Sequence, residues 1–163
     1  MTDMLYHITP LGLVEIRTDG NAITSVSFVQ TGQQEQVPTA NTQPLLQQCT
    51  QQLDEYFAGT RKTFDLPVAQ SGTAFQQQVW AQLQQIPFGK TISYLELAKR
   101  INNVKAIRAV GTTNGSNSIA ILVPCHRVIG SDGSLTGYAG GLWRKQWLLE
   151  HENKYANGVQ ALF

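Results

Sequence analysis

A short apolar run that leads directly into polar and reactive side chains limits what this chain can fold into. Residues 119–123 read Ile-Ala-Ile-Leu-Val, Pro124 follows, and Cys125, His126 and Arg127 come next. The length and β-branched content of 119–123 predict a buried strand, and a proline cannot donate to a strand ladder. The sequence therefore predicts that Cys125 is presented where a buried strand opens into a loop.

Cys125 is a candidate nucleophile, because an adjacent imidazole and guanidinium favour the thiolate over the thiol. The alternative is a small core residue, since free cysteine is among the most buried residue types. Composition alone favours the core interpretation, and only the wider motif decides between the two. Cys49 lies on the apolar face of a predicted helix, where packing alone accounts for it.

The composition bounds the class of protein. At 163 residues and 42% hydrophobic content, the chain can bury a core as one domain or two small ones. We find no transmembrane-length apolar run and no signal or lipidation segment, so we expect a cytoplasmic protein without a membrane partner. The 2 cysteines are expected to be free, and 3 histidines without a Cys-x-x-Cys pair predict no metal site.

The charge is distributed unevenly along the chain. Residues 1–86 carry three basic and seven acidic side chains, whereas residues 87–163 carry nine basic and four acidic ones. Since neutralised phosphates release counterions, the basic half suits a polyanion such as nucleic acid. An ordinary solvated surface explains a charge of this size equally well.

The first 72 residues are predicted to form a small α/β domain. Partly alternating β-prone runs predict an antiparallel meander, and they cover 5–8, 13–17 and 22–29. A Gln- and Pro-rich stretch over 31–43 predicts a loop, and the apolar spacing after Pro44 predicts an amphipathic helix that ends at Gly59.

Residues 73–163 are predicted to form a second domain that contains a helix-turn-helix. Thr73 is expected to cap its first helix, and Ser93 opens another with the Ser-x-x-Glu spacing of a capping box. A polar turn over 101–104 separates that helix from a short one over 105–115. The second helix of such a pair approaches a DNA groove.

Two further features of this half bear on function. Arg108 lies on the second helix of the pair, either as a solvated charge or as a side chain that contacts DNA. The small residues Ala106 and Gly111 would let this helix approach a duplex closely. A last helix is predicted over 144–151, with Glu152 following at its end.

The motif around Cys125 resembles the O6-alkylguanine-DNA alkyltransferase family, in its bacterial constitutive form. The segments that carry the resemblance are Arg-Ala-Val-Gly at 108–111, Pro-Cys-His-Arg-Val-Ile at 124–129, Gly-Tyr at 137–138 and Trp-Leu-Leu-Glu-His-Glu at 147–152. The resemblance is close over 73–152 and holds in outline before that. It implies a mixed α/β fold, with a ribonuclease-H-like domain over 1–72 and a winged helix-turn-helix-like DNA-binding domain over 73–163.

The resemblance implies the irreversible transfer of an alkyl group from O6 of guanine, and also from O4 of thymine, in duplex DNA onto Cys125. The protein would act as a monomer, need no cofactor and be consumed in one turnover. Because the reacting carbon lies inside a stacked duplex, the damaged nucleotide must be flipped into a pocket.

The resemblance also implies roles for single residues. Cys125 accepts the alkyl group, His126 removes the thiol proton through a water, and Glu152 orients His126. Asn117 braces the loop before the nucleophile. Tyr94 donates a proton or hydrogen bond near N3 of the departing base.

A second group of residues is expected to contact the substrate or the DNA. Arg108 fills the space of the flipped nucleotide, Tyr138 forms a pocket wall, and the backbone amide of Ala139 faces O6. The carbonyls of Cys125 and Val128 accept from the guanine amino group. Further positions assigned to the pocket or the DNA-facing helix are Thr136, Ala106 and Gly111.

The sequence departs from the family pattern without losing a chemical group. Ser118 and Val104 stand where prolines are common, which leaves the loop at Ser118 less rigid. Ile107 replaces a smaller alanine and would hold the helix farther from DNA. Thr136 stands where some members have glycine, so we expect methyl groups to be favoured over benzyl groups.

Three other functions compete with this interpretation. A non-catalytic lesion binder would lack the nucleophile, whereas Cys125 is present. A regulatory winged-helix protein would read bases with side chains that the predicted recognition helix largely lacks. A cysteine hydrolase needs direct contact of Cys125 with His126, and neighbours in an extended segment point to opposite faces.

Overall fold

The computed structural model describes residues 3–29 and 43–158. The chain divides into two compact units, Met1–Gln70 with Ser118–Leu122, and Ser71–Asn117 with Val123–Phe163. The second unit is thus interrupted by a short segment that belongs to the first. A single domain boundary after residue 72 would assign that segment to the second unit. The loop predicted over 31–43 lies, apart from Gln43, outside the described residues.

The first unit is an antiparallel meander with one helix. The sheet has the order β1-β2-β3, and its strands are β1 (Asp3–Thr9), β2 (Gly12–Thr18) and β3 (Ile23–Phe28). Helix α1 (Pro44–Ala58) begins where the Gln43 side chain accepts from two backbone amides, and it ends at Gly59, whose φ of 84° suits glycine. The structure confirms the predicted meander and the predicted helix.

Cys49 lies in the core of the first unit. It sits on the buried face of α1, and its side chain is fully buried. Burial raises the pKa of its thiol to about 12. Cys49 is therefore an inert core residue, as its position on the apolar stripe predicted.

Residues 118–122 return to the first unit but do not form the predicted strand. Ile119 makes a single parallel bridge with Val26, and the amide of Leu122 already turns back to the carbonyl of Ala120 at 2.8 Å. Ile121 has a φ of 71°, in the left-handed region that β-branched residues rarely adopt. The strand prediction over 119–123 was wrong, because burial here is achieved without a ladder.

The second unit is mostly helical. Its elements are α2 (Ala74–Leu83), β4 (Ile92–Ser93), α3 (Tyr94–Arg100), a 3-10 turn (Val104–Ala106), α4 (Ile107–Gly115), a second 3-10 turn (Cys125–Arg127), β5 (Val128–Ile129) and α5 (Leu142–Asn157). Strands β4 and β5 pair in parallel. Helices α3 and α4 form the predicted helix-turn-helix, and Trp80 of α2 donates to the carbonyl of Thr113 on α4 at 3.1 Å.

The last helix is longer than predicted. Helix α5 does not stop at residue 151 but continues to Asn157, where Gly158 ends it with a φ of 76°. No glycine or proline interrupts the sequence before that point, so the helix has no local reason to stop earlier. Glu152 therefore lies inside a helix rather than after its end, which holds its backbone rigidly.

None of the helices formed by the described residues is long and apolar enough to cross a membrane.

Candidate active site

Cys125 is buried rather than presented at a loop mouth. It begins the 3-10 turn Cys125–Arg127 and is 8% exposed. Burial raises the pKa of its thiol, while the Asn117 side chain and the charge of Lys145 act in the opposite direction. The expectation that adjacent His126 and Arg127 hold the thiol as thiolate was wrong, and at neutral pH the thiol needs a base.

His126 is placed to be that base. Its Nε2 lies 2.7 Å from Oε2 of Glu152, and both side chains are buried. Burial lowers the pKa of His126, although Glu152 acts against this, so the imidazole is neutral near pH 7. Nε2–H then donates to the carboxylate, and the lone pair lies on Nδ1, which is buried and makes no hydrogen bond to any described residue.

Arg127 fixes Glu152 from the other side. Its Nε and Nη2 donate to the two carboxylate oxygens at 2.8 and 2.9 Å, and its Nη1 donates to the carbonyl of Ile86 at 2.6 Å. Burial alone would raise the pKa of Glu152, but His126 and Arg127 together lower it well below its ordinary range. The carboxylate is therefore ionised, and Arg127 has a structural partner that the sequence did not reveal.

Lys145 is a site residue that was not predicted from the sequence. It is fully buried, and its Nζ donates to the carbonyls of Val128 at 2.7 Å and Thr136 at 2.8 Å. Burial lowers its pKa to about 8, and Cys125 opposes that shift. The spacing i, i+3, i+4, i+7 from Lys145 through Leu148 and Leu149 to Glu152 was the available signal, because it places the lysine on the buried face of α5.

Two asparagines hold the backbone around the thiol. Nδ2 of Asn117 donates to the carbonyl of Val123 at 2.8 Å. This bond joins the two residues of the second unit that flank the segment Ser118–Leu122. Nδ2 of Asn114 donates to the carbonyl of Cys125 at 3.3 Å and comes from α4. The resemblance implied a bracing role for Asn117 but no contact of Asn114 with the backbone of the nucleophile.

An open pocket lies beside the helix-turn-helix. Its volume is about 370 Å³, and it is lined by Tyr94, Ile107, Arg108, Gly111, Thr136 and Gly137. Four residues expected to act on the substrate or the DNA therefore share one surface. The hydroxyl of Tyr94 is hydrogen-bonded to Thr136, and both residues line this pocket.

Three other residues predicted for the site, Tyr138, Ala139 and Ala106, lie in turns. Tyr138 and Ala139 belong to the turn that precedes α5, where the amide of Gly141 donates to the carbonyl of Tyr138 at 2.9 Å. Burial raises the pKa of Tyr138, and Cys125 contributes in the same direction. Ala106 ends the 3-10 turn before α4 and is not among the residues that line the pocket.

Among the residues that the structure describes, no three His, Cys, Asp or Glu side chains converge in the way a metal ion would require.

Two family models match the chain. Residues 74–154 match the DNA-binding domain of 6-O-methylguanine DNA methyltransferase, and residues 4–70 match the ribonuclease-like domain of the same protein. A methylated-DNA–protein-cysteine methyltransferase of Methanosarcina acetivorans is 44% identical over 88% of this chain and 94% of its own length. A constitutive one of Bacillus subtilis is 47% identical over 81% of this chain and 83% of its own length.

Solved structures agree with this result. The crystal structure of an O6-methylguanine methyltransferase of Mycobacterium tuberculosis has a TM-score of 0.83 and 40% identity, over 96% of this chain and 95% of that one. The Mycobacterium tuberculosis protein named OGT, in complex with DNA, has a TM-score of 0.83 and 43% identity over 93% and 92% of the two chains. The predicted mixed α/β fold with a ribonuclease-like and a DNA-binding part is confirmed.

Proposed function

Because this chain belongs to the methylated-DNA–protein-cysteine methyltransferase family, we propose that it repairs duplex DNA by taking an alkyl group from O6 of guanine onto Cys125. The observation that carries this proposal is the buried thiol of Cys125 in the same turn as His126, whose Nε2 is fixed 2.7 Å from an ionised Glu152. This arrangement supplies a nucleophile, a neutral base and a group that orients the base.

The thiol must lose its proton as it attacks, since burial raises its pKa. Sγ of Cys125 forms a bond to the alkyl carbon, and the bond between that carbon and O6 breaks, with its electron pair going to the guanine. The thiol proton passes through a water to Nδ1 of His126. Glu152 stabilises the imidazolium that results. The thioether formed is not cleaved, so each molecule reacts once.

The departing guanine also needs help, because it leaves with negative charge. The hydroxyl of Tyr94 donates to N3 of the base, and the proton taken by His126 reaches the base through solvent. The backbone amide of Ala139 faces O6, and Tyr138 forms a wall of the site. The carbonyl of Val128 already accepts from Lys145, and its second lone pair is offered to the guanine amino group.

Helix α4 is the element that engages the duplex. Arg108 is exposed on its surface and occupies the space left by the flipped nucleotide. Gly111 on α4 and Ala106 in the turn before it have small side chains, so that the helix can enter a groove. Asn117 joins the two ends of the segment before the nucleophile and so braces the position of Cys125.

The proposal also covers the range of substrates and the oligomeric state of the protein. O4 of thymine carries an alkyl group in a similar chemical setting and is proposed as a second substrate. Thr136 lines the pocket and should favour methyl over benzyl groups. Since a single chain holds all the proposed site residues, the protein is proposed to act as a monomer.

The proposal is tested by incubating the protein with duplex DNA that contains O6-methylguanine and mapping the added methyl by peptide mass spectrometry. One methyl group should appear on the peptide that contains Cys125, with no turnover beyond one equivalent. Cys125→Ala should abolish transfer and retain DNA binding. Cys49→Ala is the matched control and should transfer normally, because that thiol is inert. A methyl group on any other side chain would overturn the proposal.

A further inference from the structure

The hydroxyl of Tyr94 makes two hydrogen bonds with a single residue, Thr136. The side-chain hydroxyl of Thr136 donates to the phenolic oxygen at 3.0 Å. The phenolic hydroxyl donates in turn to the backbone carbonyl of Thr136 at 3.3 Å. The same carbonyl accepts from Nζ of Lys145 at 2.8 Å, so the three residues form one connected network.

The two bonds differ in what they require from the sequence. Any residue at position 136 could supply the carbonyl, but only a serine or threonine supplies a hydroxyl that donates to Tyr94. A phenol that accepts a hydrogen bond becomes a stronger donor through its own O–H, because hydrogen bonds in a chain polarise one another. The Thr136 hydroxyl therefore strengthens Tyr94 as a donor.

The bond from Tyr94 to the carbonyl is the one that a substrate can replace. Its length of 3.3 Å exceeds the usual O–H···O distance. The carbonyl of Thr136 keeps the charged donor Lys145 when the phenol turns away. When the Tyr94 hydroxyl donates to a substrate atom instead of the Thr136 carbonyl, that carbonyl is therefore still hydrogen-bonded.

The network faces the place where a base would arrive. Tyr94 and Thr136 both line the open pocket beside α4, together with Arg108 and Gly111. Tyr94 is half-buried, and Thr136 is exposed. A base that enters this pocket meets the phenolic hydroxyl and its threonine partner together.

We propose that Thr136 is a positioning residue for the transfer reaction, whose hydroxyl holds the Tyr94 oxygen and directs the phenolic proton to the departing guanine. This inference rests on the proposed function and extends it. It adds a chemical role to a residue otherwise expected only to limit the size of the alkyl group. The role depends on the hydroxyl of Thr136 and not on its bulk.

A double-mutant cycle separates the two roles. Thr136→Val keeps the shape and removes the hydroxyl, and it should lower the second-order rate constant for methyl transfer from O6-methylguanine duplex DNA about three- to tenfold. Thr136→Ser should restore most of that loss. In a Tyr94→Phe background, Thr136→Val should cause no further loss. Thr50→Val is the matched control and should not change the rate, since the Thr50 hydroxyl donates only within α1.

An equal loss for Thr136→Val in both backgrounds would overturn the inference, because the hydroxyl would then act independently of Tyr94. No loss in either background would also overturn it, because the hydroxyl would then have no role in the transfer. Methylation of Cys125 would persist in either case, and the proposed function would stand. Failure of the unmodified protein to methylate Cys125 would instead overturn the proposed function itself.

Discussion

At the scale of single residues, the site depends on one carboxylate. Glu152 accepts hydrogen bonds from His126 and from two nitrogens of Arg127, and all three side chains are buried. A buried guanidinium is tolerable only while its counter-charge is present. His126, Glu152 and Arg127 therefore form one hydrogen-bonded cluster, and changes at Glu152 should affect both stability and reactivity.

Glu152→Gln keeps the shape of the side chain and removes its charge. We expect it to lower the free energy of unfolding by about 3 to 5 kcal/mol, because Arg127 would be left buried without a counter-charge. Urea denaturation at neutral pH measures this loss. Glu96→Gln is the control, since its partner Arg100 is partly exposed and the pair should contribute below ~1 kcal/mol. Equal losses in the two variants would contradict the expectation.

Methyl transfer should decline in acid because His126 must be neutral to accept a proton. Burial lowers the pKa of His126 from its ordinary 6.5, so the rate should fall only below pH 6.5. Stability should fall over the same range, because the unfolded chain takes up a proton there before the folded chain does. Stopped-flow rates and urea midpoints between pH 5 and 8 test both trends. If the transfer rate reached half of its maximum at a pH above 6.5, this result would contradict the assignment of His126 as the base.

Lys145 should make the thiol of Cys125 more acidic than burial alone would allow. Lys145→Met keeps the apolar stem and removes the charge that opposes the raised pKa of Cys125. The midpoint of thiol alkylation by iodoacetamide should therefore move to higher pH in this variant. Lys154→Met, on the exposed side of the same helix, is the control and should leave the midpoint unchanged. An unchanged midpoint in Lys145→Met would show that the charge does not reach the thiol.

At the scale of elements, the helices begin and end where local chemistry directs them. Thr73 and Gln76 form a reciprocal capping box at the start of α2, and Ser93 caps α3 through the amide of Glu96. The carboxylate of Glu96 binds Arg100 instead of returning to Ser93, so only half of the predicted box forms there. Helix α2 supports α4 through Trp80, so its start matters for the pocket.

Thr73→Ala should lower the free energy of unfolding by about 1 kcal/mol, because the amide of Gln76 loses its acceptor. Thermal unfolding followed by circular dichroism measures the loss. Thr50→Ala removes an exposed hydroxyl from the interior of α1 and should change stability by less than about 0.5 kcal/mol. The prediction fails if the two variants unfold at the same temperature.

At the scale of the whole molecule, the two units are not consecutive in sequence. Ser118–Leu122 belongs to the first unit, although Asn117 and Val123 on either side belong to the second. In the first unit, the amide of Val26 donates to the carbonyl of Ser118 at 3.0 Å, and the amide of Ala120 donates to that of Val26 at 2.9 Å. The first unit is therefore completed by a segment from the middle of the chain.

Ile119→Ala should destabilise the first unit of the full-length protein, since this side chain is fully buried. The expected cost is about 2 to 5 kcal/mol for the loss of a buried isoleucine. Hydrogen exchange at the amides of Val26 and Ala120 should accelerate. Ile8→Ala is the control, because Ile8 is 68% exposed, and it should change neither stability nor exchange. Protection of both amides in Ile119→Ala would contradict the expectation.

Part of this fold is determined by the sequence itself. The meander, helix α1 with Gly59, the start of α2 at Thr73 and the helix-turn-helix follow from alternation, periodicity and capping. These signals act between residues a few positions apart, so they can be recognised in the sequence without knowledge of the tertiary structure. The motif that begins at Pro124 also indicated the family, which the comparisons confirm.

The roles of single residues in the reaction stay predictions until Cys125 is shown to carry the alkyl group. The structure supplies their geometry, and it places His126 beside Glu152 and Tyr94 beside Thr136.

Only the tertiary structure decided how the segment around Cys125 is held. An apolar run such as 119–123 can be buried as a strand or as an irregular turn, and here it makes one bridge to β3 at Ile119 and then turns at Ile121. Arg127 reaches Glu152 across 25 positions, and Lys145 reaches Val128 across 17. Such pairings depend on which surfaces meet, because charge and burial at a site are set by neighbours in space and not by neighbours in sequence.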